Sequence, residues 1–288
     1  RTSNYISKSK HNVAHHYDLS DKLYELFLDP DRQYSCAYFN SPNDTLEQAQ
    51  INKKELISKK LLLEEGQSVL DIGCGWGGMA SHIYKKSNAN VVGVTLSEEQ
   101  IAYAKQRKID EKLDKVEYRL QDYRNVNETY DRIVSVGMFE HVGTSHYQEF
   151  FNKVHDLLND TGVALIHTIG RLTEPTNNDP WIEKYIFPGG YIPALSETMS
   201  RVEKSGLSLT DVQVLRFHYA ETLKRWRYNF YDNIDKVKEL YDEKFCRMWD
   251  FYLSSSQASF EEAGLVVFQL QLSKNKKTVP DKRDYMIE

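Results

Sequence analysis

The sequence predicts a doubly wound α/β fold with a seven-stranded sheet, and three observations carry that prediction. Apolar runs of roughly four to eight residues, the length of strands covered on both faces, recur between residues 69 and 169. Helical stretches alternate with these runs, as parallel strands joined by crossovers require. The first run, in VLDIGCGWGG at 69–78, leads straight into a glycine-rich turn and then a helix. With 288 residues and 40% hydrophobic content, the chain can bury one large α/β core and still carry a cap.

The elements follow in order. Residues 1–65 read as a helical cap that includes HHYDLSDKLYELFLDP, where Ser20 can cap a helix bearing Leu23, Leu26 and Phe27 on one face. Residues 66–288 form the α/β domain. Val69, Leu70 and Ile72 make the first strand, and Ala80 to Lys86 a helix after the turn. VVGVTL at 91–96 is the second strand, followed by a helix capped by Ser97 with Gln100 at the capping-box position. KVEYRL at 115–120, DRIVSVGM at 131–138 and GVALIHTI at 162–169 are the third to fifth, with a helix over 146–158. Strands near 209–217 and 265–272 complete the sheet as an antiparallel pair at one edge. Insertions at about 171–196 and 219–259 are left for substrate handling, the first being too long for a bare connection.

The glycine turn predicts a nucleotide-type cofactor. Dinucleotide folds use G-x-G-x-x-G and an acidic residue about 20 positions on. Here the order is G-x-G-x-G-G, with Gly73, Gly75 and Gly77 free to let a ligand approach the backbone, and Asp71 stands two residues before the first glycine. Asp71 would repel a pyrophosphate but can accept from the ammonium of a methionine moiety, which favours S-adenosylmethionine. Glu98, near the dinucleotide acidic position, keeps NAD(P) open.

Composition narrows the partners. A formal net charge of −5 and a pI near 6.0 argue against a nucleic-acid binder. The pairs Lys53-Lys54, Lys59-Lys60 and Lys85-Lys86, and the group Lys274, Lys276 and Lys277, could meet anionic headgroups or lie on solvated helix faces. Cys36, Cys74 and Cys246 have no metal-ligand spacing, and their odd number suits a reducing, cytoplasmic setting. No run approaches the roughly 18 apolar residues of a membrane span, so membrane contact would be peripheral.

Aromatic residues gather outside the sheet, in the first 65 residues, in DPWIEKYIFPGGYIP at 179–193, and at Tyr219, Trp226, Tyr228, Phe230 and Tyr231. They could line an apolar vestibule over the strand ends or form a secondary core. Ligands of open α/β sheets bind beyond the carboxyl ends of the strands. Glu140 and His141 follow the fourth strand and His167 closes the fifth, so Glu140 and His167 are candidates to face one site, with local hydrogen bonding as the alternative.

HYDLSDKLYELFLDP, QYSCAYF, LDIGCGWGG, GVTLSEEQ, SVGMFEHVG, HTIG, DPWIEKYIFPGG and HYAETL, in this order from about residue 15 to 270, resemble the landmarks of the cyclopropane fatty acid synthases. HTIG and PWI-x-KYIFPGG look more like the phospholipid-modifying bacterial branch than the mycolic-acid branch. The resemblance implies a class I S-adenosylmethionine-dependent methyltransferase fold and methylene transfer to a cis double bond of an unsaturated phospholipid acyl chain. The cation so formed would be shielded by aromatic rings, with Tyr17, Tyr24 and Tyr34 as candidates and His16 nearby. The resemblance further implies a bound bicarbonate as base, held by Cys36, Glu140, His167 and Tyr219 with the Ile169 N–H. It implies cofactor contacts from Tyr34, Ser35, Asp71, Gly73, Gly75, Thr95, Gln100, Asp122 and Tyr123, no metal, peripheral attachment to the inner membrane face, and a homodimer as an open possibility. Two departures stand out. Thr95, where many methyltransferases place a carboxylate, must serve the ribose with Gln100; and Ser256 replaces a cysteine found in many relatives, which removes any mechanism needing that thiol. A methyltransferase acting on a small amine and a non-catalytic cofactor-binding module are the alternative readings.

Overall fold

The computed structural model describes residues 19–287. Its seven-stranded sheet has the order β3-β2-β1-β4-β5-β7-β6, with β1 Ser68–Ile72, β2 Asn90–Thr95, β3 Val116–Leu120, β4 Tyr130–Val136, β5 Leu158–Arg171, β6 Ser208–Leu215 and β7 Leu265–Ser273. The first five strands run parallel, and β7 is antiparallel to both β5 and β6. The expected antiparallel pair is therefore present, but β7 lies inside the sheet and β6 forms its edge. The fifth strand is longer than its sequence suggests. It begins at Leu158, directly after helix Tyr147–Leu157, pairs there with Tyr130, and passes a bulge before the regular register resumes at Val163.

Local sequence explains the element ends. Ser20 caps helix Asp21–Phe27 by accepting from the Lys22 N–H, and Thr45 caps helix Leu46–Lys60 by accepting from the Gln48 N–H at 3.1 Å. Ser97 accepts from the Gln100 N–H at 3.2 Å, but the reciprocal half of the expected capping box is absent. Thr95 Oγ1 takes the Ser97 N–H at 3.2 Å and leaves the Gln100 side chain to face Thr95. That releases Gln100 for the cleft described below.

Apolar side chains cover both faces of the sheet and build a third cluster, a lid, away from it. Leu23, Tyr24 and Phe27 of helix Asp21–Phe27 pack with Leu223, Trp226 and Phe230 of helix His218–Asp232 and with Trp249 and Leu253 of helix Glu243–Glu262. Trp226 is fully buried, with the rings of Tyr34, Tyr219 and Phe27 5.3, 5.7 and 5.9 Å away. Polar sutures join the same segments, the Ala37 N–H donating to Thr222 Oγ1 at 3.0 Å and Asn229 Nδ2 to the Phe27 carbonyl at 3.1 Å. Helix Asp21–Phe27 and the late insertion thus fold as one layer. Tyr228 and Tyr231 are exceptions among the aromatics expected to face inward: both are about half exposed, on the outer side of their helix.

The buried members of the lysine pairs depart from both sequence readings. Lys53 and Lys60 are wholly buried, Lys54 pairs with Asp31 at 2.5 Å, Lys85 with Glu111 at 2.8 Å, and Lys86 with Glu55. The buried Lys53 and Lys60 are not available to a headgroup, whereas Lys85, Lys276 and Lys277 are exposed. No helix among the described residues is long and apolar enough to cross a membrane.

Candidate functional site

Two connected clefts open beyond the carboxyl ends of the parallel strands. The first is small, about 90 Å³, and is lined by Gly73, Gly75, Thr95, Gln100, Asp122 and Tyr123. It continues into a recess of about 60 Å³ holding Tyr34, Ser35 and Asp71. Nine of the ten expected cofactor contacts meet here. Gly73 has φ +79°, and a Cβ there would lie 2.8 Å from Met138 Cβ, so only glycine lets the turn pass under the β4 loop. Gly77 does not join them. It lines neither cavity; its carbonyl accepts from Tyr118 Oη at 3.0 Å and a Cβ would strike that hydroxyl, so its role is to start helix Gly78–Ser87 against β3.

Asp71 is the ionisable centre of this cleft. Burial pushes it up to about 7, and its Oδ2 is enclosed without a partner among the described residues. A cationic group would supply the missing partner and return Asp71 to its ionised form. Asp122, by contrast, is already held: Arg124 donates to it from its backbone N, Nε and Nη2 at 2.9, 2.9 and 2.7 Å. Its placement in the cleft is fixed before any ligand arrives.

The second cleft is a cavity of about 450 Å³ walled by Cys36, Glu140, His167, Ile169 and Tyr219, by residues 177–192 of the first insertion, and by Ser255, Ser256 and Phe260. The strand ends and the lid thus bring the five expected site residues together. Glu140 sits on the turn after β4, where burial pushes it up to about 7. Its Oε1 accepts from the Ile169 N–H at 2.7 Å, while Oε2 is buried with no partner among the described residues. That bond redirects one expectation, since the Ile169 N–H orients Glu140 instead of being offered to a guest. His167 is fully enclosed and held neutral by burial; Gln269 Nε2 lies 3.1 Å from its Nδ1, and its Nε2 has no partner among the described residues. Burial raises Cys36, so it stands as a thiol, donating to the Ala37 carbonyl at 3.2 Å. Tyr219 packs on Phe260, with ring centroids 4.7 Å apart.

The two clefts meet. Gly137 lines all three spaces, His141 lines the cavity and the small cleft, and Tyr34 and Ser35 line the cavity and the recess. The space over the glycine turn therefore shares walls with the cavity that Glu140 lines. Gly137 and His141 were not assigned to the site from sequence; the signal was a glycine directly after a strand, in SVGMFEH. Lys53 was also missed: it is buried beneath the recess, donating to Ser35 Oγ and Gln33 Oε1 at 2.8 Å each, and burial lowers it to about 7. Of the three rings expected to shield a cation, Tyr34 lines the cavity and donates to or accepts from Tyr252 at 2.8 Å, Tyr24 is buried in the lid without reaching it, and Tyr17, with His16, lies outside the described residues.

A family model described as mycolic acid cyclopropane synthetase matches residues 5–270. The chain is 41% identical over 259 residues to the cyclopropane-fatty-acyl-phospholipid synthase of Escherichia coli K12, an alignment covering 90% of this chain and 66% of that protein, so the chain spans about two thirds of this relative's length. It is 38% identical over 279 residues to cyclopropane mycolic acid synthase 3 of Mycobacterium tuberculosis, covering 91% and 96%. Among solved structures, the mycolic acid cyclopropane synthase CmaA1 complexed with SAH and CTAB superposes with a TM-score of 0.86 at 36% identity, over 91% of this chain and 97% of the other.

Proposed function

Because the chain belongs to the cyclopropane fatty acid synthase family and has a Rossmann-like class I methyltransferase fold, we propose that it transfers a methylene group from S-adenosylmethionine to a cis double bond of a phospholipid acyl chain. The observation that carries this reading is the junction of the two clefts at Gly137, with Glu140 Oε2 and His167 Nε2, which have no partner among the described residues, on the cavity side.

Bound over the Gly73-Gly75 turn, the cofactor would have its ammonium held by Asp71 and its ribose by Thr95 and Gln100, and would offer its sulfonium methyl for transfer toward the cavity. An alkene held there attacks this methyl, charge passes from sulfur to the substrate carbon, and loss of a proton from the new methyl closes the ring. The chain's own tasks are to hold the alkene in line and to keep water from a cation that water would trap. Tyr34, Tyr219 and Phe260 supply an apolar, electron-rich wall worth about 1 kcal/mol per ring toward such a charge.

The residues around Glu140 fit a small oxyanion. Two enclosed polar atoms lack partners, a thiol and a phenol stand beside them, and no cluster able to hold a metal ion occurs among the described residues. When bound, bicarbonate supplies a base next to the reacting carbon. Glu140, oriented by the Ile169 N–H, accepts the ion's own proton; His167 and Tyr219 donate to its oxygens, with Cys36 closing the pocket. Exposed Leu172, Tyr185 and Phe251 on the insertions that wall the cavity suit a peripheral approach to the bilayer from the inner face.

The test is mass spectrometry of lipids after incubation with S-adenosylmethionine and vesicles of cis-unsaturated phospholipid. Gain of one CH2 with loss of the double bond is expected. Labelling confined to small amines would replace this reading with an amine methyltransferase, and cofactor binding without turnover on either would leave a binding module.

A further inference from the structure

A file of side chains crosses the far half of the sheet in one register. His167 of β5 pairs with Gln269 of β7, which pairs with Gln213 of β6. Directly opposed residues of antiparallel strands point to the same face. Against that face ends helix Leu46–Lys60, whose last residue is wholly buried. Lys60 Nζ donates to Gln269 Oε1 at 2.7 Å and to Gln213 Oε1 at 2.5 Å. The backbone at this point is pinned as well, Gln271 Nε2 donating to the Lys60 carbonyl at 2.7 Å.

The direction of the chain of bonds follows from chemistry. An ammonium has donors only, so it faces the oxygen of the Gln269 amide and fixes which way that amide points. The amide nitrogen must then face His167, and an NH2 group can only donate. His167 Nδ1, 3.1 Å away, is therefore the unprotonated ring nitrogen, and the single ring proton sits on Nε2, the atom in the cavity wall without a partner among the described residues.

We propose that Lys60 and Gln269 are positioning residues that hold His167 as its Nε2–H tautomer, a hydrogen-bond donor aimed into the cavity. The inference rests on the reading that His167 helps to hold an oxyanion: the opposite tautomer would present a lone pair to that anion and repel it. It also accounts for a buried lysine that makes no bond to a carboxylate, an arrangement with a desolvation cost that packing alone would avoid. Asp211, the nearest acidic partner, is engaged by Arg283 at 2.5 Å.

The test reads the tautomer directly. With the nine histidines labelled with ¹⁵N, long-range ¹H–¹⁵N spectra distinguish a protonated from an unprotonated ring nitrogen, and His167→Gln identifies the His167 signals. The folded protein is expected to show His167 protonated at Nε2 alone. Lys60→Met releases the Gln269 amide and is expected to bring in the Nδ1–H form. Gln269→Glu, which keeps a partner for Lys60 and offers His167 an acceptor, is expected to protonate Nδ1. Turnover should fall at least tenfold in both, with the KM for S-adenosylmethionine within twofold of the parent. An unchanged Nε2–H signal in both folded variants overturns the relay. A shifted tautomer with unchanged turnover upholds the relay and overturns instead the role of His167 as donor to an anion.

Discussion

The two halves of the sheet build their sites by different means. On the β3-β2-β1 side the small cleft is organised by a glycine turn and strand ends, with Asp71 carrying a carboxyl oxygen that has no partner among the described residues. On the β4-β5-β7-β6 side the larger cavity is made of side chains drawn from positions 36, 140, 167 and 219, held by a lid that joins helix Asp21–Phe27 to the last insertion. A backbone site is local in sequence and tolerates change around it. A side-chain site depends on distant packing, so the two halves should fail differently when altered.

The largest expected effect is on the side-chain half. Glu140→Gln keeps an acceptor for the Ile169 N–H but removes the titratable oxygen, and turnover on lipid should fall by about 10² to 10⁴ while cofactor affinity by calorimetry is unchanged. Equal loss of both would erase the distinction between the halves. Next is Trp226→Ala, which opens a hole between Phe27, Tyr34 and Tyr219 and should cost about 3–5 kcal/mol in denaturant unfolding. In what remains folded, lipid turnover should suffer more than cofactor binding.

Asp71→Asn probes the backbone half. Loss of a buried charge-assisted bond, about 1.5–3 kcal/mol, should weaken the cofactor at least tenfold. The pH dependence sharpens the point. Asp71 titrates near 7 in the fold against an ordinary 3.8, so between those values the folded chain keeps a proton that the unfolded chain has lost. Stability of the cofactor-free protein should therefore fall as pH rises from about 4 to 7, and thermal denaturation of Asp71→Asn should lose that part of the decline. The smallest effect is expected at Tyr228→Ser, on the exposed side of its helix, within about 0.5 kcal/mol and without change in turnover; a larger one would mean that the lid has a second working face.

The same contrast explains what could be read in advance. The strands, their order of appearance, the cleft at Gly73 and Gly75, and the caps at Ser20 and Ser97 rest on short-range patterns, and the structure reproduces them within a few residues. Glu140 and His167 could be paired from their strand-end positions, but Cys36 and Tyr219 joined them only through resemblance, because nothing local to either points to the site. Lys53 and Lys60 were misread for the same reason. A lysine pair on a helix looks solvated, and only the partners 18 and 209 positions away, Ser35 and Gln269, show that it is not. Ile169 was expected to serve a guest with its N–H, which only the placement of Glu140 could correct.

The position of β7 sets an order of assembly on the ribosome. Strand β6 touches no other strand, so it has nothing to pair with until the last segment of the sheet, residues 265–273, has been synthesised and has slid between it and β5. The parallel strands carrying the glycine turn are all complete by residue 171, more than ninety positions earlier in synthesis. A nascent chain can thus form its nucleotide-binding half first. His167 acquires its Gln269 neighbour only once β7 has been made.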